Sequence, residues 1–190
     1  MVDCDILIPE FIKFSKIPRL SREIIITEKI DGTNAQIYIY PDLRGDLQIL
    51  AGSRSRWLNT TEKGGDNHGF CKWVEENKEG LIKELGEGRH FGEWWGHGIN
   101  RGYGLKEKRF SLFNVTRWKD TSLTLCSVVP ILYEDRFDTE NIDYVLAALK
   151  QNGSFIEPGF MNPEGIVILH TTSGHLYKKT ILNDDKPKGE

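Results

Sequence analysis

At 190 residues, with 38% hydrophobic content and a net charge of −3, the chain can bury one substantial core but hardly two, so we expect a single domain over residues 1–190. The acidic balance gives no overall basic surface, so any contact with nucleic acid would depend on a local patch. Three widely spaced cysteines, Cys4, Cys71 and Cys126, fit reduced thiols rather than a disulfide framework, and the absence of a membrane-length apolar run or a signal peptide indicates a cytoplasmic protein with no membrane contact.

The chain opens with a mixed segment, residues 1–23, that we expect to be irregular or to form short helices. Residues 24–40 then predict a hairpin, because an apolar β-branched run reaches Lys29 and an Asp-Gly turn leads to a second strand, Ala35 to Tyr40. Lysine at such a strand end can lie in a cleft and attack phosphorus when its amine is unprotonated. An ordinary hairpin with a surface lysine remains the alternative at this point.

The next segments alternate strand and helix patterns. Leu47 to Ser53 predicts a third strand, and Arg54 and Arg56 after it suit an anion, although a solvated strand end is the alternative. After a polar loop over residues 59–67, helical spacing of apolar residues predicts a helix over residues 70–85, capped by Asp66 or Asn67 and ended by Gly86. His68 and Cys71 lie in this region, but no partner at metal spacing supports a metal site there.

A carboxylate among aromatic residues marks the middle of the chain. Glu93, within the strand-like residues 90–96, should be hydrogen-bonded to backbone donors or to a ligand hydroxyl, because an unpaired buried carboxylate is costly. The glycine-rich residues 96–104 match no phosphate-binding fingerprint and predict a flexible loop that shapes a cleft.

The last third of the chain contains more strands than helices. The patterns predict a strand over 109–115, a strand pair or an edge strand over 123–133 with a break at Pro130, and a helix around 142–149. They also predict strands over 165–170 and 176–180 and a charged tail over 183–190. Asp138 or Thr139 would cap that helix and Gly153 would end it. The whole indicates an α+β fold with mainly antiparallel sheets around a cleft.

Six ordered segments resemble the covalent nucleotidyltransferase superfamily of polynucleotide ligases and RNA capping enzymes. They are residues 29–32 (motif I), Ser53-Arg54 (the arginine segment), Glu93 in 91–94 (motif III), Phe113 in 110–114 (motif IIIa), Glu164 in 164–167 (motif IV) and Tyr177-Lys178 (motif V). Residues 28–34 are most similar to the ATP-dependent RNA ligase branch. The resemblance implies an ATP-grasp-like nucleotidyltransferase core of ligases, with a nucleotide-binding cleft and no OB domain, since only residues 181–190 follow motif V.

The resemblance also implies a reaction and its residues. Lys29 would attack the α-phosphate of ATP to form lysyl-AMP, the AMP would pass to a nucleic-acid 5′-phosphate, with RNA the expected substrate, and a 3′-hydroxyl would seal the strand. Mg²⁺ or Mn²⁺ would be held by Glu164, and Lys29, Glu164 and Lys178 would be catalytic. The nucleotide would be bound by Glu28, Ile30, Asn34, Arg54, Glu93, Phe113, Lys178 and Lys179. Among these, Phe113 would stack on adenine, Glu93 and Arg54 would contact the ribose, and Lys178 the α-phosphate.

Two departures from the family pattern carry expectations of their own. Family members usually have Lys-x-Lys in motif V, whereas Thr180 stands here at the second lysine position, and the choice of Lys178 over Lys179 stays open. With no further domain expected, the grip on nucleic acid would come from local basic residues or from a partner protein. The basic candidates are Arg54, Arg56, Arg101, Lys106, Lys108 and Arg109.

Other functions remain open from the sequence. The 28 residues before Lys29 cannot hold the extra module of NAD-dependent ligases, so ATP is favoured over NAD, but GTP is less well excluded. A capping-type guanylyltransferase is therefore one alternative. A nucleotide- or RNA-binding module without turnover is the other, although such a module needs no nucleophile.

Overall fold

The computed structural model describes residues 10–185, which form nine β-strands and four α-helices. In chain order these are β1 (Glu23–Lys29), β2 (Thr33–Pro41), β3 (Leu47–Ser53), α1 (Phe70–Glu76), α2 (Lys78–Leu85), β4 (Gly88–Gly96), β5 (Lys108–Leu112), α3 (Val115–Trp118), β6 (Ser127–Val128), β7 (Ile131–Arg136), α4 (Thr139–Asn152), β8 (Gly165–His170) and β9 (His175–Thr180). Cys4 and the end of the expected charged tail lie outside the described residues. No helix within residues 10–185 is long and apolar enough to cross a bilayer.

The strands form two mainly antiparallel sheets, which confirms the predicted α+β class. The first sheet has the order β7-β1-β8-β9, and the second has the order β3-β2-β4-β5-β6, in which only β5 and β6 run parallel. Helix α4 packs its apolar side, with Ile142, Val145 and Leu149, against the first sheet. Helices α1 and α2 cover one face of the second sheet.

A third apolar cluster lies between the two sheets and fixes the cleft. It joins Ile25 of β1, Trp95 of β4, Val129 and the buried Ile30 and Tyr103. Residues of the second sheet alternate, so that Trp94 enters the helix-covered core while its neighbours Glu93 and Trp95 face the first sheet. The side of each sheet that faces the other therefore forms the walls of the cleft.

The expected hairpin over residues 24–40 is wrong. β1 pairs with β7 and β8 in the first sheet, whereas β2 pairs with β3 and β4 in the second. Because Ile24 to Glu28 are buried on both faces of β1, that strand needs neighbours on both sides and helices or sheets on both faces. Residues 30–32 carry the chain from one sheet to the other rather than around a hairpin turn.

Several boundaries also differ from the predictions. The expected helix over 70–85 is two helices that meet at Asn77. Gly69 directly precedes α1, but the Asp66 side chain accepts a bond from the first-turn amide of Lys72 at 2.9 Å, so Asp66 does cap the helix from a position further upstream. The strand expected over 109–115 ends at Leu112, because Asn114 caps α3 through a bond from the Arg117 amide.

Other elements agree with the sequence. Helix α4 is capped by Asp138, whose side chain accepts a bond from the Glu140 amide at 2.8 Å, and ends at Gly153, as predicted. The predicted break at Pro130 separates β6 and β7, although these two strands belong to different sheets.

Candidate active site

The pairing of β1 with β8 brings Lys29 and Glu164 together. Lys29 is the last residue of β1 and lies opposite Gly165, the first residue of β8, so that its side chain meets the residue just before that strand. Lys29 Nζ donates to Glu164 Oε2 at 2.7 Å, and the exposed fractions of the two side chains are 21% and 11%. A primary amine is thus held at the mouth of the cleft, partly screened from water and open on one side.

Glu93 lies on the opposite wall of the cleft. Its carboxylate accepts bonds from the Gly32 amide and from Asn34 Nδ2, both at 3.1 Å. Burial raises the pKa of Glu93 to about 7, while the nearby positive charge of Lys29 acts in the opposite direction. Gly32 is required here, because a Cβ would lie 2.5 Å from the Trp94 carbonyl and 2.9 Å from Glu93 Cγ.

The glycine-rich loop between β4 and β5 is bonded to the turn that follows Lys29. Asn100 Nδ2 donates to Asp31 Oδ1 at 3.0 Å and to the Gly32 carbonyl at 2.6 Å, and the Tyr103 hydroxyl accepts from the Asp31 amide at 2.9 Å. Asn100 and Tyr103 both adopt positive φ, 43° and 53°, which lets the loop fold back tightly. The loop that we expected to be flexible is instead fastened to the turn after Lys29.

Arg101 extends that attachment to the other sheet. Its Nε donates to Asp31 Oδ2 at 2.9 Å, and its Nη1 donates to the carbonyls of Asn162 and Pro163, both at 2.8 Å. Asn162 and Pro163 directly precede Glu164. Arg101 therefore ties the turn after Lys29 to the approach to Glu164, a role that sequence reasoning missed because it treated Arg101 as a surface cation. The one feature of the sequence that could have indicated this contact is Asp31, because its carboxylate lies in a tight turn and needs a hydrogen-bond donor.

Glu28 and Ile30, the neighbours of Lys29, point away from the open cleft. The buried Glu28 carboxylate accepts bonds from Ser154 Oγ at 2.6 Å and from the amides of Phe155 and Ile156 at 2.8 and 3.1 Å. Its main-chain amide donates to the Pro130 carbonyl at 3.1 Å. Ile30 is buried in the cluster between the sheets. These contacts hold both sides of Lys29 in place.

Phe113 lies on the cleft side of the second sheet. Its amide donates to the Phe91 carbonyl at 2.9 Å, just beyond the paired Gly92 and Leu112, so the two phenylalanines are cross-strand neighbours. The Phe113 side chain is 41% exposed, which leaves a ring face free for a flat ligand. Arg54 is exposed just after β3, and no side-chain hydrogen bond of Arg54 occurs within residues 10–185.

The two lysines of β9 lie on opposite faces of the first sheet. Lys178 pairs with Val167, which in turn pairs with Thr27, and this row belongs to the cleft side. Lys179 pairs with Ile166 on the other side and forms an ion pair with Asp143 of α4. Thr180 lies in the row of Gly165 and Lys29. The fold thus brings Lys178 to the cleft and places Lys179 outside it.

The oxygen donors of the cleft suit a hard divalent cation that shares its ligands with phosphate. No cluster of three or more acidic, histidine or cysteine side chains that could hold a metal occurs among residues 10–185. Mg²⁺ does not require one, because it is commonly bound by one or two carboxylates together with substrate phosphates and water. Glu164, beside the amine and near the cleft opening, fits that donor set.

Comparison with known proteins places these observations in a family. The family model described as RNA ligase matches residues 22–180, which include Lys29, Glu93, Glu164 and Lys178. No curated protein matches the chain.

Solved structures of RNA ligase from Naegleria gruberi share the fold at low sequence identity. A lysine-to-alanine mutant with ATP and Mn is 19% identical with a TM-score of 0.58, over 83% of this chain and 48% of that one. An apo lysine-to-alanine mutant is 20% identical with a TM-score of 0.59, over 91% of this chain and 57% of that one. A lysine-to-methionine mutant with AMP and Mn is 19% identical with a TM-score of 0.60, over 85% and 50%. The chain spans about half the length of the structures it matches.

Proposed function

Because the chain belongs to the RNA ligase family, we propose that it carries the catalytic core of an ATP-dependent RNA ligase that charges itself with AMP at Lys29. One observation carries the proposal: the Lys29 amine lies in the cleft between the sheets, 2.7 Å from Glu164 Oε2. A binding module needs no amine held in this way. The N. gruberi ligases solved with ATP or AMP and Mn support ATP and a divalent ion as the ligands of this cleft.

In the charging step, Lys29 Nζ attacks the α-phosphorus of ATP. An N–P bond forms, the bond between the α-phosphorus and the bridging oxygen breaks, and pyrophosphate leaves as Nζ gives up a proton. Glu164 would hold a Mg²⁺ or Mn²⁺ ion whose charge offsets that of the phosphates. Lys178 on the cleft side of β9 would contact the α-phosphate and favour the charge that develops there.

The walls of the cleft would hold the nucleoside part of ATP. Phe113 offers an exposed ring for the adenine base, and the Glu93 carboxylate can accept a bond from a ribose hydroxyl in addition to those from Gly32 and Asn34. Arg54 would approach the ribose from the end of β3. Lys179, bonded to Asp143, has no part in this arrangement.

The later steps would use a nucleic acid with a 5′-phosphate and a 3′-hydroxyl, with RNA as the proposed substrate. The AMP passes from Lys29 to the 5′-phosphate oxygen, which regenerates the amine, and the 3′-hydroxyl then displaces AMP to form the phosphodiester bond. Both displacements depend on holding the reacting groups in line.

Intact mass after mixing the protein with ATP and Mg²⁺ tests the proposal. We expect a gain of one AMP that is reversed by pyrophosphate and abolished in Lys29→Ala and Lys29→Arg, since a guanidinium stays protonated. Lys150→Ala on α4 is the matched control and should charge normally. A gain with GTP alone would indicate a guanylyltransferase, and no gain with any nucleoside triphosphate would favour a binding module.

A further inference from the structure

Several of the basic residues that we expected to grip nucleic acid are used within the protein. Arg101 bonds Asp31, Lys108 Nζ donates to the His68 carbonyl at 2.7 Å, and Arg109 pairs with Glu107 and Glu157. A cation already paired with a carboxylate, as Arg101 and Arg109 are, gains less from a phosphate than one without such a partner does. The surface that holds a nucleic-acid strand therefore has to be sought elsewhere.

The cleft wall of the second sheet continues past the candidate active site into an open surface. Along the paired strands β2 and β4, Asn34 lies opposite Glu93, then Gln36 opposite Phe91, then Tyr38 opposite Arg89. Each step of two residues advances about 7 Å, so Arg89 is about 14 Å from Glu93 along the strand. All these side chains lie on the same face of the sheet as Glu93, because residues alternate between faces.

Aromatic rings cover this surface, which we call the open face and define by Tyr38, Tyr40, Trp57, Arg89 and Phe91. Tyr38 stacks on Tyr40 and on Trp57, with ring centroids 5.1 and 6.1 Å apart. Phe91 is 52% exposed and Trp57 43% exposed, even though both are large apolar side chains. Phe91 also lies next to Phe113, so the aromatic surface begins where the proposed adenine position ends.

Arg89 places a positive charge on the open face. The Arg89 guanidinium lies 4.1 Å from the centre of the Tyr38 ring and 5.3 Å from that of Trp57, and its Nη1 donates to Gln36 Oε1 at 3.2 Å. Arg54 and Arg56 follow the end of β3, where Ser53 pairs with Ala35, so they lie toward the Glu93 end of this face, and Arg56 Nη2 donates to the Gly64 carbonyl at 2.7 Å. None of these three arginines has a carboxylate within salt-bridge distance among residues 10–185.

We propose that the open face binds the single-stranded RNA segment next to the 5′-phosphate that receives AMP. Flat rings beside arginines that have no carboxylate partner match the two parts of a nucleic-acid strand, since bases stack on aromatic side chains and phosphates attract cations. Continuity with the cleft favours RNA over a protein partner, because a strand whose 5′ end reaches Lys29 must leave the cleft along one of its walls. This inference rests on the proposed function.

Binding of a short 5′-phosphorylated RNA, without ATP, tests the open face. Phe91→Ala and Trp57→Ala should each weaken binding roughly tenfold with an unchanged salt dependence, because each removes a stacking surface. Arg89→Ala should lower the slope of log K against log salt by about 0.7, the value for one lost phosphate contact on a single strand. Tyr144→Ala and Arg136→Ala, exposed positions on α4 and β7, are matched controls that should bind as the wild type does.

Cross-linking to RNA tests the open face in the wild-type protein, without any substitution. RNA that carries 5-iodouridine at one of its first four positions should cross-link to Tyr38, Trp57 or Phe91. Cross-links confined to α4 or to the first sheet would overturn the inference, as would open-face variants that bind RNA normally. Sedimentation that shows a dimer dissociated by Trp57→Ala would also overturn it in favour of a second copy of the chain.

The charging assay separates this inference from the proposed function. Phe91→Ala, Trp57→Ala and Arg89→Ala should still gain one AMP from ATP, because the open face holds RNA and not the charging machinery. A wild-type protein that gains no AMP would contradict the proposed function. Normal charging together with RNA bound elsewhere would contradict the open face alone.

Discussion

Arg101 Nε lies 2.9 Å from Asp31 Oδ2, although 70 positions separate the two residues. This contact joins the glycine-rich loop of the second sheet to the turn that follows Lys29. The same guanidinium bonds two carbonyls just before Glu164. One side chain therefore links the turn after Lys29 to the segment before Glu164, and we expect Arg101 to act as a positioning residue in charging.

Replacement of Arg101 should slow charging more than it weakens ATP binding. In Arg101→Ala the turn and the segment before Glu164 lose their shared donor, and small displacements of reacting groups can cost on the order of 10- to 100-fold in rate. We expect a fall of that size in the maximal rate of AMP transfer to Lys29, with little change in the ATP concentration for half-maximal rate. Arg101→Lys, which keeps one cation for Asp31, should fall in between.

The stability of the same variant provides a second measurement. Loss of the bond to the poorly exposed Asp31 carboxylate should lower the free energy of unfolding by about 2 kcal/mol, measured in urea. Arg44→Ala, on an exposed turn, is the control and should unfold as the wild type does. If Arg101→Ala changes stability but charges at the normal rate, Arg101 is structural and the positioning role is wrong.

Glu28 should be one of the residues on which stability most depends. Its buried carboxylate satisfies two main-chain amides, at Phe155 and Ile156, and the Ser154 hydroxyl. Glu28→Ala leaves these donors buried without acceptors and should cost about 3 kcal/mol of unfolding free energy. Glu28→Gln keeps an oxygen for the two amides and should cost clearly less in the same urea titration. Equal losses for both variants would show that charge, not hydrogen bonding, is what the site requires.

The two carboxylates of the cleft should respond differently to metal. Glu164 is next to the amine and at the cleft opening, whereas Glu93 is bonded to Gly32 and Asn34 on the far wall. Charging by Glu164→Gln should require more Mg²⁺ than the wild type, whereas Glu93→Gln should require more ATP. The rate of charging is measured while Mg²⁺ is varied at saturating ATP, and while ATP is varied at saturating Mg²⁺. If excess Mg²⁺ restored charging by Glu93→Gln but not by Glu164→Gln, the two roles would be the opposite of those proposed.

Local sequence patterns correctly predicted the elements that depend only on neighbouring residues. The strand Leu47–Ser53 and helix α4, with Asp138 and Gly153 at its ends, agree with the predictions because periodicity and capping depend on neighbouring residues. The partners of a strand depend on the whole fold. The pattern over residues 24–40 predicted two strands correctly but not that each joins a different sheet, since a buried β-branched run reads the same in a hairpin and at the centre of a sheet.

The candidate site likewise contains residues that the sequence could indicate and residues that it could not. Order and residue type singled out Lys29, Glu93, Glu164 and Lys178 as site candidates. In the fold Lys29 contacts Glu164, Glu93 lies on the facing wall and Lys178 lies on the cleft side of β9, while their roles stay predictions. The opposite directions of Lys178 and Lys179 follow from strand alternation. Arg101, Asn100 and Tyr103 could not be found, because their partners in the turn after Lys29 lie about 70 positions away and no local pattern encodes that contact.

The free energy of unfolding should decrease as the pH rises, because of Glu93. Burial raises the pKa of this carboxyl to about 7 in the folded protein, from an unfolded value of 4.5. Between these two values the unfolded chain has lost the proton that the folded protein keeps. Stability therefore decreases as the pH rises through that window and levels off above it. A shift of this size corresponds to about 3 kcal/mol.

Glu93→Gln removes the titrating group while keeping a side-chain oxygen for the Gly32 amide. Urea titrations along a pH series measure this. From pH 4.5 to 7 the wild type should lose unfolding free energy relative to the variant, because only the wild type has the titrating carboxyl. Asp42→Asn provides the matched control, because this exposed carboxylate has a pKa lowered by bonds from the Arg44 and Asp46 amides. Its titration lies below the window, so its difference from wild type should stay flat from pH 4.5 to 7. A flat difference for Glu93→Gln as well would mean that Glu93 ionises in the folded protein as readily as in the unfolded chain.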